Sequence, residues 1–224
     1  MLRHGPPFAD RRAAGHLLAE ALGEYTGRPG LLVLALPRGG VPVAHEVAVT
    51  LGAPLDVLVV RKLGAPADEE LAIGAVASGG VRWLNPDLLA VLHVTPAQLE
   101  AVTARERAEL ARREQRYRGN APFPDLRTRT VLLVDDGLAT GATMQAAIAR
   151  ARALGARELL VAVPVASMEA AATIRSAVDR LVTLATPAPF GGVGRWYLDF
   201  PQTSDAEVIA LLRHAADGGS AALA

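Results

Sequence analysis

The chain contains no cysteine. That single absence excludes disulfide frameworks, thiolate nucleophiles and thiolate metal sites. Aromatic residues make up only 4% of the 224 positions, and the formal net charge is zero. A neutral chain carries no global field to draw in nucleic acid or an anionic membrane. No stretch approaches the roughly 18 consecutive apolar residues of a membrane span. The opening Met1-Leu-Arg-His-Gly-Pro-Pro lacks the apolar core of a signal peptide. A cytoplasmic location is the expectation. The five histidines, at 4, 16, 45, 93 and 214, form no i,i+4 metal-binding pair.

Lysine is nearly missing as well: the 23 basic residues are 22 arginines and Lys62. Arginine is a fixed fork and lysine a compact point charge. A lone lysine says little by itself, and Lys62 gains interest only from its place beside Arg61 at a strand end.

What the chain does have is a core. It is 51% hydrophobic with a mean hydropathy of +0.26, well outside the disordered range. Its length suits one large α/β domain, or one domain with an insertion. Residues 10–25 read as a helix with Ala14, Leu17, Leu18, Ala21 and Leu22 on one face. The continuous apolar run 31–36 reads as a buried parallel strand, and 41–51 as a helix with Pro42 in its first turn. A second strand spans 55–60 and ends at Arg61-Lys62, and a polar loop follows over 64–70. Segments 71–76 and 81–84 read as a hairpin, and 86–92 as a short helix. Thr95-Pro-Ala-Gln98 is a capping box that opens a helix to Arg118. Strands are expected at 130–134, 158–165 and 181–185, and helices at 142–154 and 168–178. A second capping box at Ser204 starts a last helix, to Ala216. This alternation predicts a single α/β domain over 1–224, a doubly wound, mainly parallel sheet with helices on both faces. The stretch from about 69 to 120 breaks the alternation and is expected as a hairpin and helical insertion over the carboxyl edge of the sheet.

The chemistry concentrates in Val131–Thr143, Val-Leu-Leu-Val-Asp-Asp-Gly-Leu-Ala-Thr-Gly-Ala-Thr. An apolar strand delivers Asp135 and Asp136 at its carboxyl end, where open α/β sheets bind ligands. Adjacent carboxylates can each accept a hydroxyl of a vicinal diol. The small loop Leu138-Ala139-Thr140-Gly141-Ala142-Thr143 then bares backbone N–H groups at a helix N-terminus, which favours an anion. Gly141 removes a side chain where the backbone must approach the ligand, and Thr140 and Thr143 add hydroxyls. A phosphorylated pentose fits the layout. A pair of helix-capping carboxylates before an ordinary turn is the plainer alternative.

This stretch resembles the phosphoribosyl pyrophosphate signature of type I phosphoribosyltransferases, in the form found in adenine phosphoribosyltransferases. Two further segments match in order. Pro37-Arg38-Gly39-Gly40 is similar to the family's pyrophosphate loop, and Arg61-Lys62 to the basic pair where its mobile catalytic loop begins. The resemblance implies transfer of ribose 5-phosphate from phosphoribosyl pyrophosphate to a nitrogenous base or related amine, with Mg2+ as cofactor and a homodimer as the assembly. It implies that Asp135 and Asp136 hold the ribose and, partly through ligand and water, the metal. Residues 138–143 would hold the 5-phosphate, and Arg38, Gly39, Gly40, Arg61 and Lys62 the pyrophosphate. It also implies a hood over the acceptor, here assigned to 187–201, with Phe190, Trp196 or Tyr197 stacking on a flat ring. Core packing by those aromatics is an equal alternative.

Where hypoxanthine-guanine enzymes of the family carry an acidic base, this chain has Ala139. A replacement would have to come from Asp68, Glu69 or Glu70, for which a solvated acidic turn is the simpler reading. The arrangement is closest to phosphoribosyltransferases whose acceptor is not settled. A non-catalytic sensor of phosphoribosyl pyrophosphate or a nucleotide, on the same fold, stays open. A methyltransferase-like domain would need an acidic residue after the second strand, where Arg61-Lys62 stands. The arginines at 105, 107, 112, 113, 116 and 118 are interleaved with Glu100, Glu106, Glu109 and Glu114, which favours a solvated helix face or a subunit contact over RNA binding.

Overall fold

The computed structural model describes residues 8–221, so His4 and the opening heptapeptide lie outside it. Its centre is a five-stranded sheet of β1 (Leu31–Ala35), β2 (Leu55–Val57), β6 (Thr130–Val134), β7 (Glu158–Val165) and β8 (Arg180–Ala185). The strand order is β2-β1-β6-β7-β8, and every pairing is parallel. Strands β1 and β6 are buried at every position, which is why they are written as unbroken apolar runs.

Successive side chains point to opposite faces of a sheet. Val33, Ala35, Leu132 and Val134 therefore pack under α1 (Arg11–Ala21), α2 (Gly40–Leu51) and α7 (Asp205–Ala221). Leu32, Leu34, Val131 and Leu133 pack under α5 (Ala142–Ala153) and α6 (Met168–Arg175).

One expected strand divides. Residues 55–60 do not run on as a single strand: β2 stops at Val57, and β3 (Val60–Ala65) belongs to a second sheet. There it pairs antiparallel with β4 (Asp68–Ala77), which pairs in turn with β5 (Arg82–Leu84). The polar loop expected at 64–70 is thus a tight hairpin turn, and the excursion begins near residue 60 rather than 69. It continues through α3 (Pro86–Val91) and α4 (Pro96–Arg118). The capping box at Thr95 and Gln98 is present. The small sheet is held between α5, against Ala75 and Ala77, and α4, against Leu63 and Val76. Among the described residues no helix is long and apolar enough to cross a membrane.

Candidate active site

Strand register brings the site together. Ala35 pairs with Val134, so β1 and β6 end at the same level and release their loops side by side. Leu36 N donates to the Val134 carbonyl at 2.9 Å, extending the pairing one residue further. Pro37–Gly40 and Asp135–Thr143 therefore share the carboxyl edge of the sheet. They touch so closely that side chains are excluded. A Cβ on Gly40 would lie 2.8 Å from the Val134 carbonyl oxygen and 2.9 Å from Asp135 Cα, and a Cβ on Gly39 would run into the Asp136 carboxylate. The Pro37–Arg38 peptide is cis.

The two carboxylates are not equivalent. Asp135 Oδ1 accepts from the Asp136 backbone N–H at 2.8 Å. Asp136 Oδ2 accepts from Arg11 Nε, also at 2.8 Å. Arg11 stands in the first turn of α1. Its Nη1 donates to the Pro201 carbonyl at 2.7 Å, and its guanidinium lies 3.7 Å over the Phe200 ring. The Arg11 and Asp136 side chains are only 10% and 15% exposed, so this is a largely desolvated ion pair. Burial pushes both aspartates above the usual carboxylate range. The neighbouring Asp136 charge raises Asp135 further, whereas Arg11 opposes the rise at Asp136.

Beyond the doublet, the loop encloses a pocket of about 180 Å³ lined by Lys62, Val193 and residues 135–144. It is pinned from β7 and the start of α6. Leu138 N donates to the Val165 carbonyl at 2.9 Å, Ser167 N to the Leu138 carbonyl at 2.9 Å, and Ser167 Oγ to the Ala139 carbonyl at 2.7 Å. Gly141 caps α5 with a left-handed φ of +79°. A Cβ there would meet no protein atom closer than 3.6 Å, so within the chain itself this glycine supplies the left-handed conformation.

A larger cleft of about 620 Å³ adjoins this pocket. Its walls include Arg38 and Gly39, the doublet, Thr143, and, from the excursion, the cations Arg61, Lys62, Arg105 and Arg113 together with the acids Glu69 and Glu106. Lys62 borders both spaces, from strand β3 rather than from a loop. Arg61 also faces the cleft but is paired to Glu106, with Nη2 at 2.8 Å. Glu69 is paired to Arg105 at 2.8 Å. The side chain of Glu70 lies outside the described residues.

The expected hood aromatics are placed differently. Tyr197 is buried, its ring 5.4 Å from Phe8 and 4.9 Å from Phe200, as in the core-packing alternative, and it does not border the cleft. Trp196 Nε1 donates to the Phe190 carbonyl at 3.0 Å, which ties these two to each other, and neither borders the cleft. Phe200 and Val193 border it instead, with Gln202 and Thr203. Sequence reasoning also missed Arg11 and Arg113, whose signal was no stronger than that of any other helical arginine.

Among the described residues no group of three or more His, Asp or Glu side chains could hold a metal by itself. His45 Nε2 does approach His214 Nδ1 at 3.0 Å, away from the cleft. Two adjacent carboxylates are, however, the donor set magnesium accepts when substrate oxygens and water complete its shell.

Known proteins resemble this chain over most of its length. The profile of the phosphoribosyl transferase domain matches residues 9–194. The chain is 49% identical over 208 residues to "Putative phosphoribosyl transferase Rv0571c" of Mycobacterium tuberculosis strain H37Rv, and equally to its counterpart in strain CDC 1551. Each alignment covers 93% of this chain and 47% of the relative, so the chain spans about half the length of the curated relatives it matches. The crystal structure of TT1426 from Thermus thermophilus superposes with a TM-score of 0.78 at 47% identity, covering 92% of this chain and 98% of that one.

Proposed function

This chain belongs to the phosphoribosyl transferase domain family, and on that premise we propose that it transfers ribose 5-phosphate from phosphoribosyl pyrophosphate to a nitrogen nucleophile, releasing pyrophosphate. The observation that carries the reading is the β1–β6 register, which sets Arg38, Gly39 and Gly40 against Asp135 and Asp136. On this reading the pyrophosphate loop and the diol-binding doublet meet where the anomeric carbon of the donor would lie.

In this reading the 138–143 loop holds the 5-phosphate through backbone N–H groups and the hydroxyls of Thr140 and Thr143. Asp135 and Asp136 accept from the ribose hydroxyls, and Arg38 and Lys62 grip the pyrophosphate. Arg11 fixes Asp136 so that the carboxylate does not have to be reoriented as the ligand binds. The acceptor nitrogen forms a bond to the anomeric carbon while the bond from that carbon to pyrophosphate breaks. The electron pair leaves with pyrophosphate, and positive charge develops on the ribose ring. Buried carboxylates beside the ring stabilise that charge, and the β3–β4 hairpin over the cleft limits access of water to it. Asp135 and Asp136, together with ligand oxygens, would hold magnesium, which when bound neutralises charge on the departing diphosphate. A homodimer is the proposed assembly.

The test is pyrophosphate release by the wild-type chain and by the Asp135→Asn/Asp136→Asn double variant, assayed with magnesium against a panel of purines, pyrimidines and small amines. Turnover with one acceptor, falling about tenfold or more in the double variant, is the expected result. Unaltered turnover in that variant overturns the assignment. Tight donor binding without turnover on any acceptor would favour a sensor on the same fold.

A further inference from the structure

We propose that Arg113, on the long helix of the excursion, is a second pyrophosphate-binding guanidinium beside Arg38. The inference rests on the donor site proposed above and adds to it a residue outside every matched motif.

Helix spacing places Arg113 first. Glu109, Arg113 and Tyr117 follow one another at four-residue steps on α4, so they share a face. Tyr117, one turn on, donates its hydroxyl to Asp205 Oδ1 at 2.6 Å. The same Asp205 oxygen stands 3.9 Å from Arg38 Nη1. Arg38 from the β1 loop and Arg113 from α4 therefore approach the Tyr117–Asp205 pair from two elements, and both border the same cleft. Both also act electrostatically on the Tyr117 hydroxyl.

Charge then says what the cleft favours. Glu109 is shared: Arg112 takes both its oxygens, at 2.7 and 2.9 Å, while Arg113 Nε takes Oε1 at 2.8 Å. Asp205 is shared between Arg38 and Arg116, the latter at 3.3 Å. Four guanidiniums thus divide these two carboxylates, and the cleft itself is lined by six basic side chains against four acidic ones. Arg112 and Arg116 are half exposed and do not border the cleft. Arg113 is only 19% exposed and does border it. Its anchoring by Glu109 through Nε fixes the side chain before a ligand arrives, which lowers the entropic cost of using it. A diphosphate has two phosphoryl groups, and two arginine forks can engage one each.

The experiment is calorimetric titration of the full chain with three probes in the presence of magnesium: pyrophosphate, ribose 5-phosphate and phosphoribosyl pyrophosphate. Arg113→Gln should weaken pyrophosphate and phosphoribosyl pyrophosphate about tenfold or more, and leave ribose 5-phosphate unchanged. Arg113→Lys keeps the charge without the fork and should recover only part of the loss. It also serves as the reading should the glutamine variant fail to fold. Arg112→Gln, which frees the same glutamate but does not touch the cleft, should bind all three probes like the wild type. Unchanged pyrophosphate affinity in Arg113→Gln, or an equal loss for ribose 5-phosphate, overturns the inference and leaves the donor site standing. A wild-type chain that binds none of the three overturns both.

Discussion

The Tyr197 hydroxyl donates to the backbone carbonyl of Asp136 at 2.6 Å. Through that bond Tyr197, 61 residues further along the chain, supports the acidic doublet directly. Tyr197→Phe keeps the ring between Phe8 and Phe200 and removes only the donor. The expected cost is about 1–3 kcal/mol, read as a lower denaturation midpoint at unchanged slope. The pH dependence should change as well. Burial, followed by the Asp136 charge, raises the folded-state phenol above the ordinary tyrosine range. In the wild type this contribution is complete below about pH 10, where unfolded tyrosine titrates, and is lost as pH rises further. The phenylalanine variant should lose less stability above pH 10, retaining only the share of Tyr117, which burial pushes up to about 12. Identical alkaline curves would mean that the hydroxyl is not sequestered.

The paired glycines of the first loop should fail in different ways when given a methyl group. At Gly40 the Cβ meets backbone, the Val134 carbonyl at 2.8 Å and Asp135 Cα at 2.9 Å, so strand ends must separate. Gly40→Ala should destabilise the fold by about 1–3 kcal/mol. At Gly39 the obstacle is the Asp136 carboxylate, the end of a side chain that can rotate. Gly39→Ala should bind pyrophosphate and ribose 5-phosphate more weakly and lose stability through the Arg11–Asp136 pair, because Asp136 is turned away from Arg11. In an Arg11→Met background the stability loss of Gly39→Ala should therefore shrink while that of Gly40→Ala persists, and equal losses for Gly39→Ala in both backgrounds would count against this distinction.

These contrasts mark what the sequence could and could not tell. The central sheet was legible because strands buried on both faces are written as continuous apolar runs, at 31–36, 131–134 and 159–165. The doublet and the loop behind it were legible because their chemistry is contiguous. The break between β2 and β3 was not. Residues 57–60 are four apolar residues in a row, and nothing local says that the chain changes sheets there. Pairing with Asp68–Ala77 decides it, a tertiary choice that overrides local β-propensity. Arg11 was hidden for a related reason: its partner lies 125 residues away, and in sequence it is one of two arginines opening an amphipathic helix. For the aromatics at 190–200, composition announces a cluster but not which way each ring faces, so stacking on an acceptor and core packing stay equal alternatives in the sequence, and Tyr197 packs against Phe8 and Phe200.

Asp135 carries a stability cost that its replacement should relieve. Burial first, and the Asp136 charge second, raise its folded-state pKa. A carboxyl raised in the folded state binds its proton more tightly there than in the unfolded chain, so folding is favoured below about pH 4, the unfolded value, and stability declines as pH climbs toward the folded one. Asp135→Asn has no proton to lose. The variant should show a flatter stability profile from pH 4 to 7 and equal or exceed the wild type at pH 7, while binding the donor more weakly. Such an exchange of stability for binding is expected where like charges are held together for function. A wild-type profile as flat as that of the variant would show that the carboxylate is better solvated than its surroundings suggest.

Burial raises Asp136 as well, but its replacement should act differently from that of Asp135, because the Asp136 charge has a partner in Arg11. With both side chains mostly buried, truncating one leaves the other desolvated and uncompensated. Arg11→Met and Asp136→Asn should therefore each cost about 3–5 kcal/mol. The Arg11→Met/Asp136→Asn double variant removes both charges at once and should cost much less than the sum of the two. Denaturation of all four proteins closes a double-mutant cycle, and a coupling of about 2 kcal/mol or more is the expected result. The cycle also separates stability from function. The double variant regains fold stability but has neither the carboxylate for a ribose hydroxyl nor the cation that orients it, so affinity for ribose 5-phosphate should not return with it. Additive stability losses would show that the 2.8 Å contact contributes no coupling and that Arg11 is held chiefly by Phe200 and Pro201. Recovered ligand affinity in the double variant would instead remove Asp136 from the pentose site.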